Sequence, residues 1–188
     1  HTLTHRVCPW WHAYFFDNPL RRLFHNPRKM FAPYLGQGGV AVDIGCGMGF
    51  FSIGMAKIVG PQGRVHAVDL QEKMLTVMHR RARRRGVDTI IVPEQCGDKT
   101  IGLSVAADFV LAFWVVHEVP AADALAEEVF SMLKPGGHFL MAEPRHHVSG
   151  AEVDRLTACF EKTGLKQVAR PRVALSTAFV YRKEQTAA

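Results

Sequence analysis

No two of the four cysteines, Cys8, Cys46, Cys96 and Cys159, form a C-x-x-C, and none belongs to a cluster with metal-ligand spacing. That spacing excludes a zinc-ribbon or thioredoxin-like centre and leaves reduced thiols and no metal as the expectation. No apolar run reaches bilayer-spanning length, and the charged, aromatic-rich start lacks the apolar core and cleavage pattern of a signal peptide. A soluble, cytoplasmic chain with no membrane partner is expected. Internal repeats, low-complexity tracts and linkers are also missing, so one compact unit has to carry the function.

What is present suits such a unit. The 188 residues are 48% hydrophobic, enough for one three-layer core. The formal charge of +6 is uneven: Arg80, Arg81, Arg83, Arg84 and Arg85 crowd one predicted helix end. Such a cluster can attract nucleic acid or an acidic partner. The plainer reading is a solvated face whose arginines complement the helix dipole, because no aromatic residues interleave with them. Residues 1–39 hold Trp10, Trp11, Tyr14, Phe15, Phe16, Phe24, Phe31 and Tyr34. They read as two short helices, with Pro27 as a breaker.

The rest of the chain is arranged around Val40 to Ala56, VAVDIGCGMGFFSIGMA. An apolar strand runs into Gly45, Gly47 and Gly49, and a helix pattern follows from Phe50 to Val59. Glycines at such a turn let backbone approach a ligand, and the first helical N–H groups can meet negative charge. The spacing is G-x-G-x-G with Asp43 two residues upstream, so the G-x-G-x-x-G of dinucleotide sites is not met. The next strand, near Val65 to Val68, leads into Asp69, whose carboxylate can take two ribose hydroxyls. A helix over Glu72 to Arg85, a third strand over Thr89 to Val92 and a fourth near Asp108 to Phe113 continue the alternation. A helix over Pro120 to Leu133 and a fifth strand over Phe139 to Met141 come next. A helix over Val153 to Thr163 and a closing pair near Leu165 to Ala169 and Leu175 to Tyr181 complete it. Alternating strands and helices predict a parallel sheet covered on both faces, with ligands beyond the strand C-termini.

Cys96-Gly97-Asp98 follows the third strand, and Leu133-Lys134-Pro135-Gly136-Gly137 leads into the fifth. With the glycine loop and Asp69, these pieces resemble the class I S-adenosylmethionine-dependent methyltransferases over roughly Val40 to Arg182. The likeness is to the small-molecule branch that includes the ubiquinone and menaquinone C-methyltransferases. It implies a Rossmann-like α/β three-layer sandwich on a mostly parallel seven-stranded sheet of order 3-2-1-4-5-7-6, closed by an antiparallel hairpin. It also implies an N-terminal helical cap (1–39) lying over a cofactor-binding domain (40–188).

By that resemblance, Gly45, Cys46, Gly47 and Gly49 line the methionine part of S-adenosylmethionine, and Asp43 orients its ammonium group directly or through water. Asp69 takes the ribose hydroxyls, Leu70 lies against the adenine, and Gly97 and Asp98 meet the adenine amino group. The alternative, less favoured, is that Asp43 caps the glycine turn and that Asp69 and Asp98 cap the helices after them. Phe113 and Trp114 end the fourth strand, where the methyl group lies in this fold. There His117 is the candidate general base; the alternative is that it bonds a backbone carbonyl. Trp10, Trp11, Tyr14, Trp114 and Arg145 are candidates for the acceptor pocket. The aromatics of the N-terminal segment could instead staple it to the core or form a dimer contact.

The end of the fourth strand has neither the N-P-P-Y tetrapeptide of base amino methyltransferases nor a Pro-Cys nucleophile. That weighs against nucleic acid and for a small-molecule acceptor, in a monomer or homodimer, with S-adenosylhomocysteine as product. Two rivals stay open: an RNA or protein methyltransferase docking through the arginine helix, and a non-catalytic S-adenosylmethionine-binding partner subunit. A nicotinamide enzyme is disfavoured by the glycine spacing.

Overall fold

The computed structural model describes residues 21–185. Two short helices, α1 (Arg21–Phe24) and α2 (Pro27–Phe31), precede β1 (Val40–Ile44). Then follow α3 (Phe50–Val59), β2 (Arg64–Asp69), α4 (Glu72–Arg84), β3 (Ile91–Gln95) and β4 (Ala107–Phe113). After a 3-10 turn at Val116–Glu118 come α5 (Ala122–Met132), β5 (Leu133–Pro144), α6 (Gly150–Lys162), β6 (Lys166–Ala169) and β7 (Ser176–Arg182). The seven strands form one sheet in the order β3-β2-β1-β4-β5-β7-β6, with β7 antiparallel to both its neighbours, as the resemblance implied.

Side-chain alternation along the strands divides the core into two layers. Phe109, Leu111 and Phe113 of β4 join Ala41 and Leu140 on the face covered by α2, α3 and α4. Val110 and Ala112 join Val42, Phe139 and Met141 on the other, against α5 and α6. Both faces are apolar, which is why the central strands read as continuous hydrophobic runs.

Four local expectations change. Pro27 does not break a helix but opens α2 at its first position, where its missing N–H costs nothing, and Asn26 caps the turn by accepting from the Arg28 and Lys29 N–H groups. The third strand begins two residues later than its β-branched pattern indicated and extends to Gln95. Lys134 to Gly137 belong to β5 rather than to a separate turn, because the backbone of Gly136 and of Gly137 pairs with Lys183. Between β3 and β4 there is no helix: residues 96–106 cross in irregular conformation, so Asp98 caps nothing.

The N-terminal segment from Arg21 onward is part of the core. Phe31 and Leu35 are buried, and a Cβ on Gly54 of α3 would stand 2.4 Å from Pro27, so that helix pair meets only because position 54 lacks a side chain. In α4, Met74, Leu75, Met78 and Ala82 form the buried stripe, while Arg80, Arg83, Arg84 and Arg85 are exposed. Those arginines lie at the C-terminal end of a helix whose N-terminal end borders the site described next, about 15–20 Å away by helical rise.

Candidate functional site

The parallel strands β1, β2, β3 and β4 end at one edge of the sheet, and a cavity of about 890 Å³ opens there. The glycine loop forms its floor. Gly45, Gly47 and Gly49 all have positive φ, at 68°, 53° and 82°, a backbone that side chains resist. Gly45 and Gly49 are glycine for packing: a Cβ would come within 2.7 Å of Val115 and 2.4 Å of Met78 respectively. Gly47 differs, since a Cβ there would meet no protein atom within 4 Å although the residue lines the cavity. A side chain at that position would occupy ligand space.

Asp69 stands beside this loop. Its Oδ2 accepts from the Gly47 N–H and its Oδ1 from the Gln71 N–H, both at 2.9 Å. Burial pushes its pKa upward, against the lowering effect of those backbone N–H groups. The Leu70 N–H also draws on the carboxylate, which keeps acceptor capacity toward the cavity it lines. Beyond it, Leu70, Met74, Ile101 and Leu125 give the cavity an apolar end. Gly97, with its N–H bonded to Thr100, and Asp98, whose carboxylate has no hydrogen-bond partner among the described residues, close that end.

The crossing segment that carries Asp98 is fastened by one side chain. Glu128 of α5 accepts through Oε2 from the N–H groups of Ile101 and Gly102, at 2.9 and 3.0 Å. Glu128→Ala is expected to raise the Kd for S-adenosylmethionine about tenfold, since two charge-assisted bonds disappear from a loop with no ladder to replace them. Calorimetry checks the affinity; the melting temperature should move little, because the core is untouched.

The opposite end is built by β4, β5 and the loop before β7. Trp114 and Leu175 have left-handed φ values of 59° and 60°. Trp114 is held there by its N–H to the Ala142 carbonyl and its indole N–H to Ser176 Oγ, both at 2.8 Å. Such strain persists only where the surroundings over-determine it. One turn on, His117 Nδ1 is hydrogen-bonded to Glu143 Oε2, and Glu143 Oε1 accepts from the Val116 N–H at 3.1 Å. Glu143 is fully buried while His117 keeps 13% of its side chain exposed, toward the cavity. Burial alone would depress His117, but the bond to Glu143 and its charge outweigh it and hold the imidazole pKa above 6.5. The His147 ring lies 5.3 Å from that of His117. Arg21 reaches the same cavity, its guanidinium 4.9 Å from the ring centres of both Phe50 and Phe51.

Of the residues named from sequence, Gly45, Cys46, Gly47, Asp69 and Leu70 line the cavity, as do Gly97, Asp98, Phe113, Trp114 and His117. Asp43, Gly49 and Arg145 do not. The Arg145 Nε donates to the Ser176 carbonyl at 2.8 Å, and the residue is outside the cavity lining. Asp43 is 2% exposed and accepts from the Ser52 hydroxyl behind the glycine loop, so it has no direct contact with the cavity. Trp10, Trp11 and Tyr14 lie outside the described residues. Glu143, Glu128 and Arg21 were missed as site residues. Glu143 had a signal, since it ends an otherwise apolar strand, FLMAE, where a buried carboxylate needs a partner.

Burial pushes Asp43 up to about 7, the Ser52 bond opposing it only in part. With a folded pKa above the unfolded one, its contribution to stability is complete below about pH 4 and is lost as pH rises through about 7. Asp43→Asn removes that dependence. Thermal melts should show the two proteins alike near pH 4, with the variant gaining a few °C by pH 8.

The residues present fit the cofactor implied by resemblance. The cavity has an apolar end with an unpartnered carboxylate for a purine, a carboxylate with spare lone pairs for a ribose, and a side-chain-free loop for the amino-acid part. Among the described residues no group of three or more His, Cys, Asp or Glu could hold a metal, and no helix is long and apolar enough to cross a membrane.

Comparison with known proteins agrees with this geometry. A "Demethylmenaquinone methyltransferase" of Lactobacillus johnsonii is 32% identical over 122 residues, which are 64% of this chain and 48% of that protein. The chain spans about half the length of the curated relatives it matches. A structure described as a SAM-dependent methyltransferase from Aquifex aeolicus superposes with a TM-score of 0.81 at 21% identity, covering 94% of this chain and 98% of that one. The [4+2]-cyclase SpnF superposes with a TM-score of 0.71 at 14% identity, covering 88% and 82%. These structures share the fold, and the cyclase shows that the fold alone does not decide the chemistry. Residues 35–172 match the family model described as a methyltransferase domain, and on that match over most of its length the chain belongs to the methyltransferase-domain family, with the class I architecture.

Proposed function

We propose that the chain transfers the methyl group of S-adenosylmethionine to a small molecule whose attacking atom carries a removable proton, with His117 as general base. One observation carries this reading: the His117–Glu143 pair opens onto the same cavity as the glycine loop and Asp69, at its opposite end from Asp98. Bound there, the cofactor supplies a methyl group already activated by its sulfonium, so the chain has to position an acceptor in line and keep water out.

Phe113 and Trp114 give the acceptor end a dry aromatic wall. Glu143 holds the ring through Nδ1, which leaves Nε2 to take the acceptor's proton. Arg21 brings a cation to the glycine-loop side, where it can counter a carboxylate. The name of the Lactobacillus johnsonii relative directs the acceptor search to hydroxylated aromatic and quinol rings, whose protons a base of this kind can remove. Arg80, Arg83, Arg84 and Arg85, exposed at the far end of α4, are not among the residues that line the cavity, which favours a small acceptor over a macromolecule docked through them.

Calorimetry with S-adenosylmethionine, S-adenosylhomocysteine and NAD should show micromolar binding of the first two and none of the third. Release of S-adenosylhomocysteine is then followed over a panel of phenols, hydroxyquinones and carbon acids, with turnover expected on an acidic ring. A folded chain that binds neither adenosyl compound overturns the reading. Turnover that His117→Gln leaves intact overturns the role given to the base.

A further inference from the structure

The opposite edge of the sheet, where β1 and β4 begin and β7 ends, carries a second cavity of about 540 Å³. Two glycine-containing stretches, 36–39 and 136–137, form part of its wall. Three of their N–H groups are committed: those of Gly38, Gly39 and Gly136 donate to the carbonyls of Val59, Gly36 and Lys183. The charge at this cavity comes from side chains.

Those side chains include Arg182, His138 and Lys134, the last already paired with Asp108. In the sheet register Arg182 of β7 stands directly opposite His138 of β5 on one side and Lys166 of β6 on the other. Lys166 and Arg182 are like charges placed opposite each other, which destabilises a sheet unless something offsets them. The Arg182 guanidinium has no hydrogen bond or ion pair among the described residues, and the His138 ring has only its contact with the Tyr34 ring at 5.2 Å. The one carboxylate in the wall, Asp108, is spent: its two oxygens lie 2.8 Å from Lys134 Nζ, and Oδ2 also accepts from the Val40 N–H. Burial pushes the His138 pKa down and the charge of Arg182 pushes it further, so the positive row resists another proton until a negative charge joins it.

We propose that this cavity is a second binding site, for a small molecule carrying a phosphate group, with Arg182 and His138 as direct partners. A tetrahedral dianion accepts from several directions at once, which suits donors on separate strands, whereas a planar carboxylate is served by one guanidinium fork alone. Gln37, Gln185 and the half-buried Tyr34 face the remaining space and meet the body of the ligand. The site is independent of the first cavity and of the methyl-transfer reading.

The test is an NMR titration of the His138 ring with inorganic phosphate, with chloride exchanged out to keep ionic strength constant. A saturable shift is expected, with affinity at least tenfold weaker in Arg182→Gln and partly kept in Arg182→Lys. S-adenosylmethionine affinity, read on the same samples, stays unchanged, which separates the two sites. A shift that chloride reproduces, or equal phosphate affinity in Arg182→Gln, overturns the proposal. Sedimentation with phosphatidylcholine vesicles containing phosphatidic acid identifies the source. Arg182-dependent pelleting assigns the phosphate to a lipid headgroup, and protein left in solution while phosphate still binds assigns it to a soluble ligand.

Discussion

Asp69→Asn is expected to lower the affinity for S-adenosylmethionine by about a hundredfold in calorimetry at pH 8, with the fold retained. The reason is a count of lone pairs. A carboxylate offers about four acceptor positions; the Gly47 and Gln71 N–H groups take one on each oxygen and the Leu70 N–H also draws on the group, and the proposed role gives what remains to the ribose. Asparagine has one oxygen and one NH2, so one of the backbone donors would face another donor. The remaining oxygen then serves either the loop or the ribose. Losing two charge-assisted bonds costs about 3 kcal/mol, which is the hundredfold. The glycine loop loses a tether at the same time, so S-adenosylhomocysteine should weaken in parallel. Unequal losses for the two compounds would place Asp69 near the sulfonium rather than the ribose.

The second large effect belongs to Glu143. Its two oxygens bind two donors, His117 Nδ1 and the Val116 N–H, and Glu143→Gln can accept from only one of them. If the amide oxygen keeps Val116, its NH2 faces Nδ1 and selects the tautomer that carries its proton on Nε2, where the acceptor's proton has to go. A base in the wrong tautomer costs about two to four orders of magnitude in kcat. The pH profile adds a signature. With His117 in its proposed role, activity in the parent is expected to rise through a His117 pKa held above 6.5 by Glu143; in the variant the charge is gone, burial remains, and the rising limb should move to lower pH. Proton NMR of the His117 ring reads the same change without any acceptor. A His117 pKa unmoved by Glu143→Gln would remove Glu143 from this role.

Much of this was legible before any coordinates. The apolar run into the Gly45 to Gly49 loop, and Asp69 one strand later, are local features: each depends on residues within a few positions of one another, and periodicity with glycine chemistry finds them. Residues whose roles depend on distant partners were not legible. His117 could be singled out as a titratable group at a strand end, but its partner is 26 positions away, and only the pairing of β4 with β5 brings them together. Arg145 failed for the same reason: nothing nearby in sequence shows that the Ser176 carbonyl will take its Nε. Asp43 was located correctly on the strand, yet strand alternation turned it inward behind the loop, toward Ser52. Pro27 misled because one residue type both stops helices and starts them, and the Asn before it decides which.

The crossing from β3 to β4 has a consequence in time rather than in affinity. Residues 96–106 carry no helix, and Glu128 is the side chain that fastens their middle. Amide groups there are protected by two bonds to one carboxylate, while those of the neighbouring strands share a seven-stranded ladder. Opening this segment leaves the sheet intact, so its exchange with deuterated solvent runs well ahead of global unfolding. The same opening uncovers the purine end of the cavity. On the proposed function, departure of the spent cofactor would then be coupled to a local fluctuation of this one crossing.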